Sequence, residues 1–385
     1  MEQFELIATT TFGIEAVVKR ELLNLGFEVT RTENGKVTFL SDLSGIAKAN
    51  LWLRSADRVL LKIGEFTAVT FDELFDQTFQ LDWGKYIVVD GKFTVNGKSV
   101  KSTLFSISDC QSIVKKAIVE NLKRKYDVSW FAETGADYTV LISILNDVAT
   151  LTIDTSGVAL HKRGYRIKTV KAPLKETLAA AMIMLSYWNK DRVLYDVFCG
   201  SGTIPIEAAL IGKNIAPGLH RDFSAKHWPL IGEEIWKFEI EKAVQSIDHE
   251  SKLTIYASDI DSDCIEAAII NAELAQVREC ITFQQCDFLD VDYHDEYGIL
   301  ICNPPYGERL SLDEDLLPLY LNMEARFSKL KTWSIYILTA FEGFSNLKAR
   351  KPDRVRKLYN GNIETMYFQY YGPRPAQFDK KHGVI

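Results

Sequence analysis

The sequence predicts an α/β protein in two parts, an α+β region followed by a doubly wound, mostly parallel sheet. Three observations support this prediction. Up to about residue 155, short strand-like runs alternate with amphipathic helical segments, whereas beyond residue 173 apolar strands are separated by long helical segments. Near the end, the runs 355–359 and 363–371 flank Asn360-Gly361, a pair typical of a type I′ turn. We therefore expect an antiparallel hairpin at the edge of the C-terminal sheet.

The composition is that of a folded globular protein with more than one core. Of the 385 residues, 47% are hydrophobic and 25% are charged, and at about 150 residues per domain the length predicts two or three domains. No apolar run reaches the roughly 18 residues that a membrane span needs, and the acidic start 1–5 is unlike a secretory signal. The six cysteines form no C-x-x-C pair, so neither a metal site nor a disulfide framework is expected. We expect a cytoplasmic protein without a membrane or metal partner.

The first half is predicted to hold two small α+β layers, at residues 1–65 and 66–155. In each layer strand patterns alternate with helical patterns, and the first helix is followed by Gly26, a residue common just after a helix. The predicted strands are 4–9, 37–40, 59–63, 92–95, 138–146 and 148–155, and the predicted helices are 14–25, 43–53, 71–78 and 108–126.

A polar, glycine-containing connection at residues 156–172 is predicted to precede the second half, 173–385. Six basic residues and no acidic residue lie between His161 and Lys175, although the whole chain has a net charge of −7. Phosphate contacts need only a local positive potential, so this strip is a candidate nucleic-acid contact; the alternative interpretation is a solvated charged face. The candidate contact residues are Lys162, Arg163 and Arg166.

The strongest local signal is the turn Asp196–Thr203, which joins an apolar strand to a helix. Gly200 and Gly202 let a ligand approach the backbone closely. A dinucleotide fingerprint would need a third glycine where this chain has Pro205, which argues against a nicotinamide or flavin site. A smaller cofactor against the turn, with Asp196 facing a cationic group, fits better. The alternative is a tight turn that binds nothing. The predicted strands of this half are 193–198, 254–258, 281–284, 299–302 and 334–340, and the turn opens a helix at 204–211.

Two aspartates follow the next two strands. Asp259 closes one strand, where a carboxylate can accept hydrogen bonds from a ribose diol, and Asp287 closes the other, where it can accept a bond from an adenine amine beside Phe288. The alternative interpretation is that each aspartate, taken alone, is an ordinary loop residue. Together with Asp196 at successive strand ends, they predict a nucleoside-containing cofactor.

The fourth strand leads into Asn303-Pro304-Pro305-Tyr306. Two prolines fix an extended backbone after Asn303, so that its amide oxygen and the Pro304 carbonyl can converge on one NH₂ group. Acceptors bound to its hydrogens draw electron density onto an otherwise weakly nucleophilic base nitrogen, and Tyr306 offers a face on which the base can stack. The catalytic candidates are Asn303, Pro304 and Tyr306.

The turn at Asp196–Gly202, together with Asp259, Asp287 and the Asn303–Tyr306 motif, resembles the class I S-adenosylmethionine-dependent methyltransferases that act on exocyclic base amines. The first half resembles a ferredoxin-like domain (1–65) followed by a THUMP domain (66–155). The order of the two halves, with His161–Arg166 and Ala172–Glu176 between them, resembles that of the bacterial THUMP methyltransferases that make N2-methylguanine in 23S ribosomal RNA. Such proteins are often labelled N6-adenine-specific DNA methylases, because the N-P-P-Y signature is shared.

The resemblance implies a methyl donor, a substrate and a set of contacts. S-adenosylmethionine would be the donor and S-adenosylhomocysteine the product, with Asp259 on the ribose, Asp287 on the adenine and structured ribosomal RNA as the partner. The alternatives are a transfer RNA guanine-N2 enzyme, an adenine-N6 DNA enzyme and a noncatalytic RNA-binding assembly protein. An insert at 212–236 would cover the cofactor or help to hold RNA. The expected cofactor-binding residues are Asp196, Cys199, Gly200, Ser201, Gly202, Thr203, Asp259, Asp287 and Asn303.

Overall fold

The computed structural model describes residues 2–167, 173–306, 313–347 and 350–375. The chain forms two compact units, each discontinuous in sequence. The N-terminal unit comprises residues 1–10, 18–160 and 221–243, and the C-terminal unit comprises residues 11–17, 161–220 and 244–385. No helix among the described residues is long and apolar enough to cross a bilayer.

The N-terminal unit is built on one seven-stranded sheet. Its strands are β1 (Phe4–Thr9), β2 (Glu28–Glu33), β3 (Lys36–Ser41), β4 (Arg58–Thr67), β5 (Lys92–Val100), β6 (Asp137–Leu145) and β7 (Val148–Asp154), and the helices along this stretch are α1 (Glu15–Asn24), α2 (Leu43–Trp52), α3 (Phe71–Gln80) and α4 (Ile107–Tyr126). The strand order is β2-β3-β1-β4-β7-β6-β5, and β5 and β6 are the parallel pair. Because β4 pairs with both β1 and β7, the sheet runs unbroken across the predicted boundary at 65/66. Alternate residues such as Leu6 and Ala8 are fully buried on one face.

The sequence prediction missed β2. Four of its six residues are exposed, and it lies at the edge of the sheet, where one side of the strand needs no partner. An edge strand that buries little carries no apolar alternation, which is the signal from which strands are predicted.

A segment of the second half, residues 221–243, belongs to the N-terminal unit. Its Trp228 is 1% exposed, stacks on Tyr138 with ring centroids 5.0 Å apart, and donates a 3.1 Å hydrogen bond to the Asp137 carbonyl. Arg221 donates to the Ala159 carbonyl at 2.8 Å. Residues 221–236, the second part of the predicted insert, therefore pack within the N-terminal unit.

The C-terminal unit is a doubly wound sheet, as predicted. Its strands are β8 (Leu194–Asp196), β9 (Ile255–Asp259), β10 (Ile281–Gln285), β11 (Ile299–Cys302), β12 (Ser334–Thr339), β13 (Arg354–Asn360) and β14 (Ile363–Tyr370), and the helices of the second half are α5 (Glu176–Met184), α6 (Thr203–Gly212), α7 (Glu233–Gln245), α8 (Ser262–Leu274), α9 (Asp313–Phe327) and α10 (Phe344–Leu347). The order is β10-β9-β8-β11-β12-β14-β13. The first five are parallel, and β14 and β13 add an antiparallel edge.

The core of this unit lies on both faces of the sheet. Along β11, Ile299 and Ile301 point into one hydrophobic cluster, whereas Leu300 and Cys302 point into the other. All four are fully buried, which explains the continuous apolar run that predicted a central strand.

The hairpin at the end of the chain is confirmed, but its predicted turn type is wrong. Asn360 pairs with Ile363, so the loop residues are Gly361 and Asn362. Gly361 has a φ of +65°, while Asn362 is not among the described residues with positive φ. A positive φ at the first loop residue alone is typical of type II′. The type I′ pattern occurs instead between β6 and β7, where Asn146 and Asp147 have φ values of 50° and 64°.

Candidate functional site

The four strand ends singled out in the sequence meet at one edge of the C-terminal sheet. Asp196 is the last residue of β8 and Asp259 the last of β9, while Asp287 and Asn303 follow β10 and β11. Because these strands are parallel and adjacent, their carboxyl ends share one edge. The strand order reverses between β8 and β11, which is where ligands of such sheets bind.

The glycine turn after β8 requires glycine at two positions. Gly200 and Gly202 have φ values of +51° and +83°, in the left-handed region. A Cβ on Gly202 would lie 2.9 Å from the Cβ of Ala268 in α8, so a side chain there would clash as well as strain the backbone. The Gly202 amide donates to the Cys199 carbonyl at 2.8 Å and closes the turn.

Asp259 is bonded to this turn. Its Oδ2 accepts a 2.8 Å hydrogen bond from the Gly200 amide, and its Oδ1 accepts a 3.1 Å bond from the Asp261 amide. Each carboxylate oxygen has a further lone pair, so the group retains acceptor capacity for a ligand hydroxyl. Desolvation raises the pKa of the Asp259 carboxyl.

Asp196 is 1% exposed and accepts a 3.2 Å bond from the Phe198 amide. Burial, and secondarily the nearby Asp259 charge, raises its pKa well above the ordinary 3.8. A buried carboxylate beside a second one favours a cationic ligand group, because a cation offsets the cost of holding both charges.

A cavity beside the turn brings most of the predicted cofactor residues together. Pro173 and Leu174 form part of its wall. The predicted residues that line it are Asp196, Cys199, Gly200, Ser201, Thr203 and Asn303. Gly202, Asp259 and Asp287 lie outside this lining. Asp287 is half-buried, and its Oδ1 accepts a 2.9 Å bond from the Leu289 amide.

Asn303 is the most informative residue of the cavity. It is 6% exposed, and its Oδ1 has no hydrogen-bond partner in the part of the chain that the structure describes. A buried acceptor without a donor is costly, so such an atom marks a place where a ligand donor is expected. Asn303 lines the same cavity as the glycine turn.

Tyr306 departs from the expected stacking platform. The residue is 5% exposed, and its hydroxyl oxygen accepts a 3.3 Å bond from Nδ2 of Asn360 in β13. In this arrangement its ring is packed in the protein rather than open to a base.

The basic strip is only partly a surface. Arg163 is 3% exposed and pairs with the fully buried Glu207 of α6 at 3.3 Å, so its prediction as an RNA contact is wrong. Arg166 points inward as well, donating to Thr203 Oγ1 at 2.7 Å and to the Leu174 carbonyl at 2.8 Å, which excludes it as a free phosphate contact. Lys162 is exposed, and Lys168 and Lys171 of the same strip lie outside the described residues.

Sequence reasoning missed Asn271 of α8. Its Nδ2 donates to the Ser201 carbonyl at 3.0 Å, and its Oδ1 accepts a 3.3 Å bond from the Ile167 amide, so it joins the turn to the connecting segment. A single amide within the otherwise apolar stretch 267–272 was the available signal.

Comparisons with known protein families match this arrangement along most of the chain. The family described as "RMKL-like, methyltransferase domain" matches residues 163–369. The RlmL ferredoxin-like domain matches residues 5–60, and the THUMP domain matches residues 68–154.

Individual relatives agree with these family matches. A Bacillus subtilis (strain 168) protein named "Putative RNA methyltransferase YpsC" is 49% identical over 96% of this chain and 97% of its own length. The "Ribosomal RNA large subunit methyltransferase K/L" of Shewanella baltica (strain OS185) is 34% identical over 93% of this chain. This chain spans 52% of that protein, about half of its length. The crystal structure of SMU.472, titled a putative methyltransferase complexed with SAH, is 43% identical with a TM-score of 0.92, covering 97% of this chain and all of the other.

Proposed function

Since this chain belongs to the RMKL-like methyltransferase family and carries a THUMP domain, we propose that it methylates an exocyclic base amine in RNA, namely guanine N2 of 23S ribosomal RNA. The observation that carries the proposal is the Oδ1 of Asn303, which has no hydrogen-bond partner among the described residues and is buried in the same cavity as the glycine turn. An amine acceptor and a cofactor turn in one cavity are what methyl transfer to nitrogen requires.

The residues of the cavity fit S-adenosylmethionine as the cofactor. Its methionine ammonium group would face the buried Asp196 carboxylate, and its ribose hydroxyls would donate to Asp259. Cys199, Ser201 and Thr203, with Gly200, would line its methionine part. The relative in complex with SAH supports the same ligand class. When bound, the cofactor supplies an electrophilic methyl group on sulfur. Asp287 would be its adenine contact, although that residue lies outside the cavity lining.

Asn303 and Pro304 would hold the target amine. The Asn303 Oδ1 and the Pro304 carbonyl accept the two amine hydrogens, which aims the nitrogen lone pair and raises its electron density. The bound cofactor would supply the methyl group to the nitrogen that Asn303 and Pro304 hold, and the amine would lose one proton to water. This scheme needs neither a covalent enzyme intermediate nor a dedicated base.

Tyr306 would stack the flipped base, as the N-P-P-Y motif suggests. Because its ring is buried and its hydroxyl is bonded to Asn360, stacking requires the ring to become accessible when RNA binds. Lys162 is the exposed member of the described strip that remains a candidate phosphate contact.

The choice of guanine N2 rests on the sequence resemblance to THUMP methyltransferases that make N2-methylguanine, and the choice of ribosomal RNA is supported by the relatives. One is named for the large ribosomal subunit, and ribosomal RNA as substrate agrees with the expected cytoplasmic location. Transfer RNA remains the second RNA candidate. Adenine N6 of DNA fits the N-P-P-Y motif but leaves the THUMP domain without a use on B-form DNA. A noncatalytic assembly protein would not explain why the buried Asn303 acceptor finds no donor within the described parts of the chain.

The proposal is tested by incubating the full chain with labelled S-adenosylmethionine and unmodified ribosomal RNA, then digesting the RNA to nucleosides for mass spectrometry. We expect N2-methylguanosine from the wild type and none from Asn303→Ala, which should still bind S-adenosylhomocysteine. Asn362→Ala, an exposed change in the terminal hairpin, is the matched control. Label in N6-methyladenosine, in transfer RNA alone or in DNA alone would overturn the substrate, and no cofactor binding by the wild type would overturn the reaction.

A further inference from the structure

A tyrosine of α9 is bonded directly to the loop that carries Asn303. Tyr320 is fully buried, and its hydroxyl lies 3.1 Å from the Pro305 carbonyl oxygen and 2.6 Å from Oγ1 of Thr339, the last residue of β12. The Phe341 amide lies 3.0 Å from the same Thr339 oxygen. Three hydrogen bonds in series therefore connect the end of β12 to the Asn303–Tyr306 loop.

The direction of each bond follows from proton accounting. A carbonyl only accepts, so the single hydroxyl hydrogen of Tyr320 is donated to Pro305. The Thr339 hydroxyl consequently donates to the Tyr320 oxygen, and the Thr339 oxygen accepts from the Phe341 amide. Such a chain of buried hydrogen bonds polarises each member and strengthens the next.

The ring of Tyr320 is held as firmly as its hydroxyl. It stacks on Phe341 with centroids 4.8 Å apart and an interplanar angle of 14°, and it meets the edge of Phe344 at 5.4 Å. Two aromatic neighbours in these geometries restrict rotation of the ring. Tyr320 is not part of the cofactor cavity lining.

We propose that Tyr320 is a positioning residue for methyl transfer, a role that rests on the proposed function. The Pro305 carbonyl follows the Pro304 carbonyl by one residue, and both prolines have a fixed φ. Anchoring Pro305 therefore leaves the Pro304 carbonyl and the Asn303 amide little freedom to drift from the amine. Reaction rates are sensitive to such shifts, because a displacement of about 1 Å can cost roughly a hundredfold in rate.

The test is Tyr320→Phe, which removes one oxygen and keeps the ring. We expect kcat to fall about ten- to hundredfold, while the KM for S-adenosylmethionine and the affinity for S-adenosylhomocysteine stay at wild-type values. The matched control is Tyr367→Phe in β14, which also removes a buried hydroxyl bonded to a backbone carbonyl, that of Met182 at 2.9 Å. The control should keep the wild-type kcat.

A second pair of variants tests the whole chain of bonds. Thr339→Ser keeps the hydroxyl and should retain most of the activity, whereas Thr339→Val should lower kcat without changing cofactor affinity. Combining Thr339→Val with Tyr320→Phe should cost no more than Tyr320→Phe alone, because both changes break one connection.

The outcomes separate the two proposals. Wild-type kcat in Tyr320→Phe, an equal loss in Tyr367→Phe, or a parallel loss of cofactor affinity would overturn the positioning role while leaving the proposed function intact. A wild-type chain that binds cofactor but methylates no RNA would overturn the proposed function and, with it, the role of Tyr320.

Discussion

The backbone amide of Gly200 donates a 2.8 Å hydrogen bond to Oδ2 of Asp259, 59 residues further along the chain. This bond joins the turn after β8 to the end of β9, and it occupies one lone pair of the carboxylate that is proposed to hold the ribose. Asp259 would therefore serve the cofactor twice, by shaping the turn and by accepting a ribose hydroxyl.

Asp259→Ala should weaken S-adenosylhomocysteine binding about ten- to a hundredfold, since a hydrogen bond to a charged group contributes about 1.5–3 kcal/mol. Asp259→Asn should lose less affinity for S-adenosylhomocysteine, because an amide oxygen can still accept the hydrogen bond from the Gly200 amide. Titration calorimetry measures both, with the exposed Asp263→Ala on α8 as the control. Equal affinities for Asp259→Ala and the control would remove Asp259 from the site.

Asp196→Asn should stabilise the ligand-free protein at neutral pH and weaken cofactor binding. Burial raises the Asp196 pKa above 3.8, so ionisation costs folding free energy at any pH above that value, and the cost is fully present once the pH exceeds the folded-state pKa. The amide removes this cost and can still accept from the Phe198 amide. The gain in melting temperature should shrink as the pH falls and vanish well below pH 3.8, where the carboxyl is protonated in both the folded and the unfolded state. A variant less stable than the wild type at pH 7 would contradict the argument.

Arg163→Met and Lys162→Ala should affect different properties. Removing Arg163 leaves the buried Glu207 carboxylate unpaired, which should lower the free energy of unfolding by about 3–5 kcal/mol without changing the salt dependence of RNA binding. Removing Lys162 should leave stability unchanged and reduce the slope of log K against log salt by about 1 if it contacts a phosphate. An unchanged slope would mean that Lys162 does not contact a phosphate.

Trp228→Leu should destabilise the N-terminal unit by about 3 kcal/mol, as expected for truncating a buried aromatic side chain. The change removes the stack on Tyr138 and the bond to the Asp137 carbonyl. Trp130→Leu is the control, because Trp130 is 75% exposed. Chemical denaturation followed by tryptophan fluorescence compares the two, and equal midpoints would show that Trp228 is not a core residue.

The parts that the sequence predicted well depend on local signals. The turn at Asp196–Thr203 and the aspartates after β8 and β9 could be found because glycine pairs and strand-end carboxylates are visible within a few residues. Parallel strand topology then brings them to one edge without further information. The same reasoning identified Asn303, but only the structure could show that its Oδ1 meets no donor in the described residues.

The parts that sequence reasoning missed depend on distant partners. Arg163 belongs to a basic run, and nothing near it in the sequence indicates that it is buried against Glu207, 44 residues further along the chain. The motif identified Tyr306, but its hydrogen bond with Asn360 depends on tertiary packing. Tyr320 has ordinary local surroundings, and its proposed role comes from Pro305, which tertiary packing brings close. The predicted turn type of the last hairpin was wrong because the strand pairing is shifted by one residue.

The discontinuity of both units has a consequence for synthesis and for fragments. The N-terminal unit lacks Trp228 until residues up to 243 have left the ribosome, so it cannot finish folding before part of the second half has been made. A fragment that starts at residue 161 would lack Ile14 and Val17, two buried members of the C-terminal core. Dissection of this protein at residue 160 would therefore yield two incomplete cores, and the chain must be produced as one piece or cut and rejoined at other points.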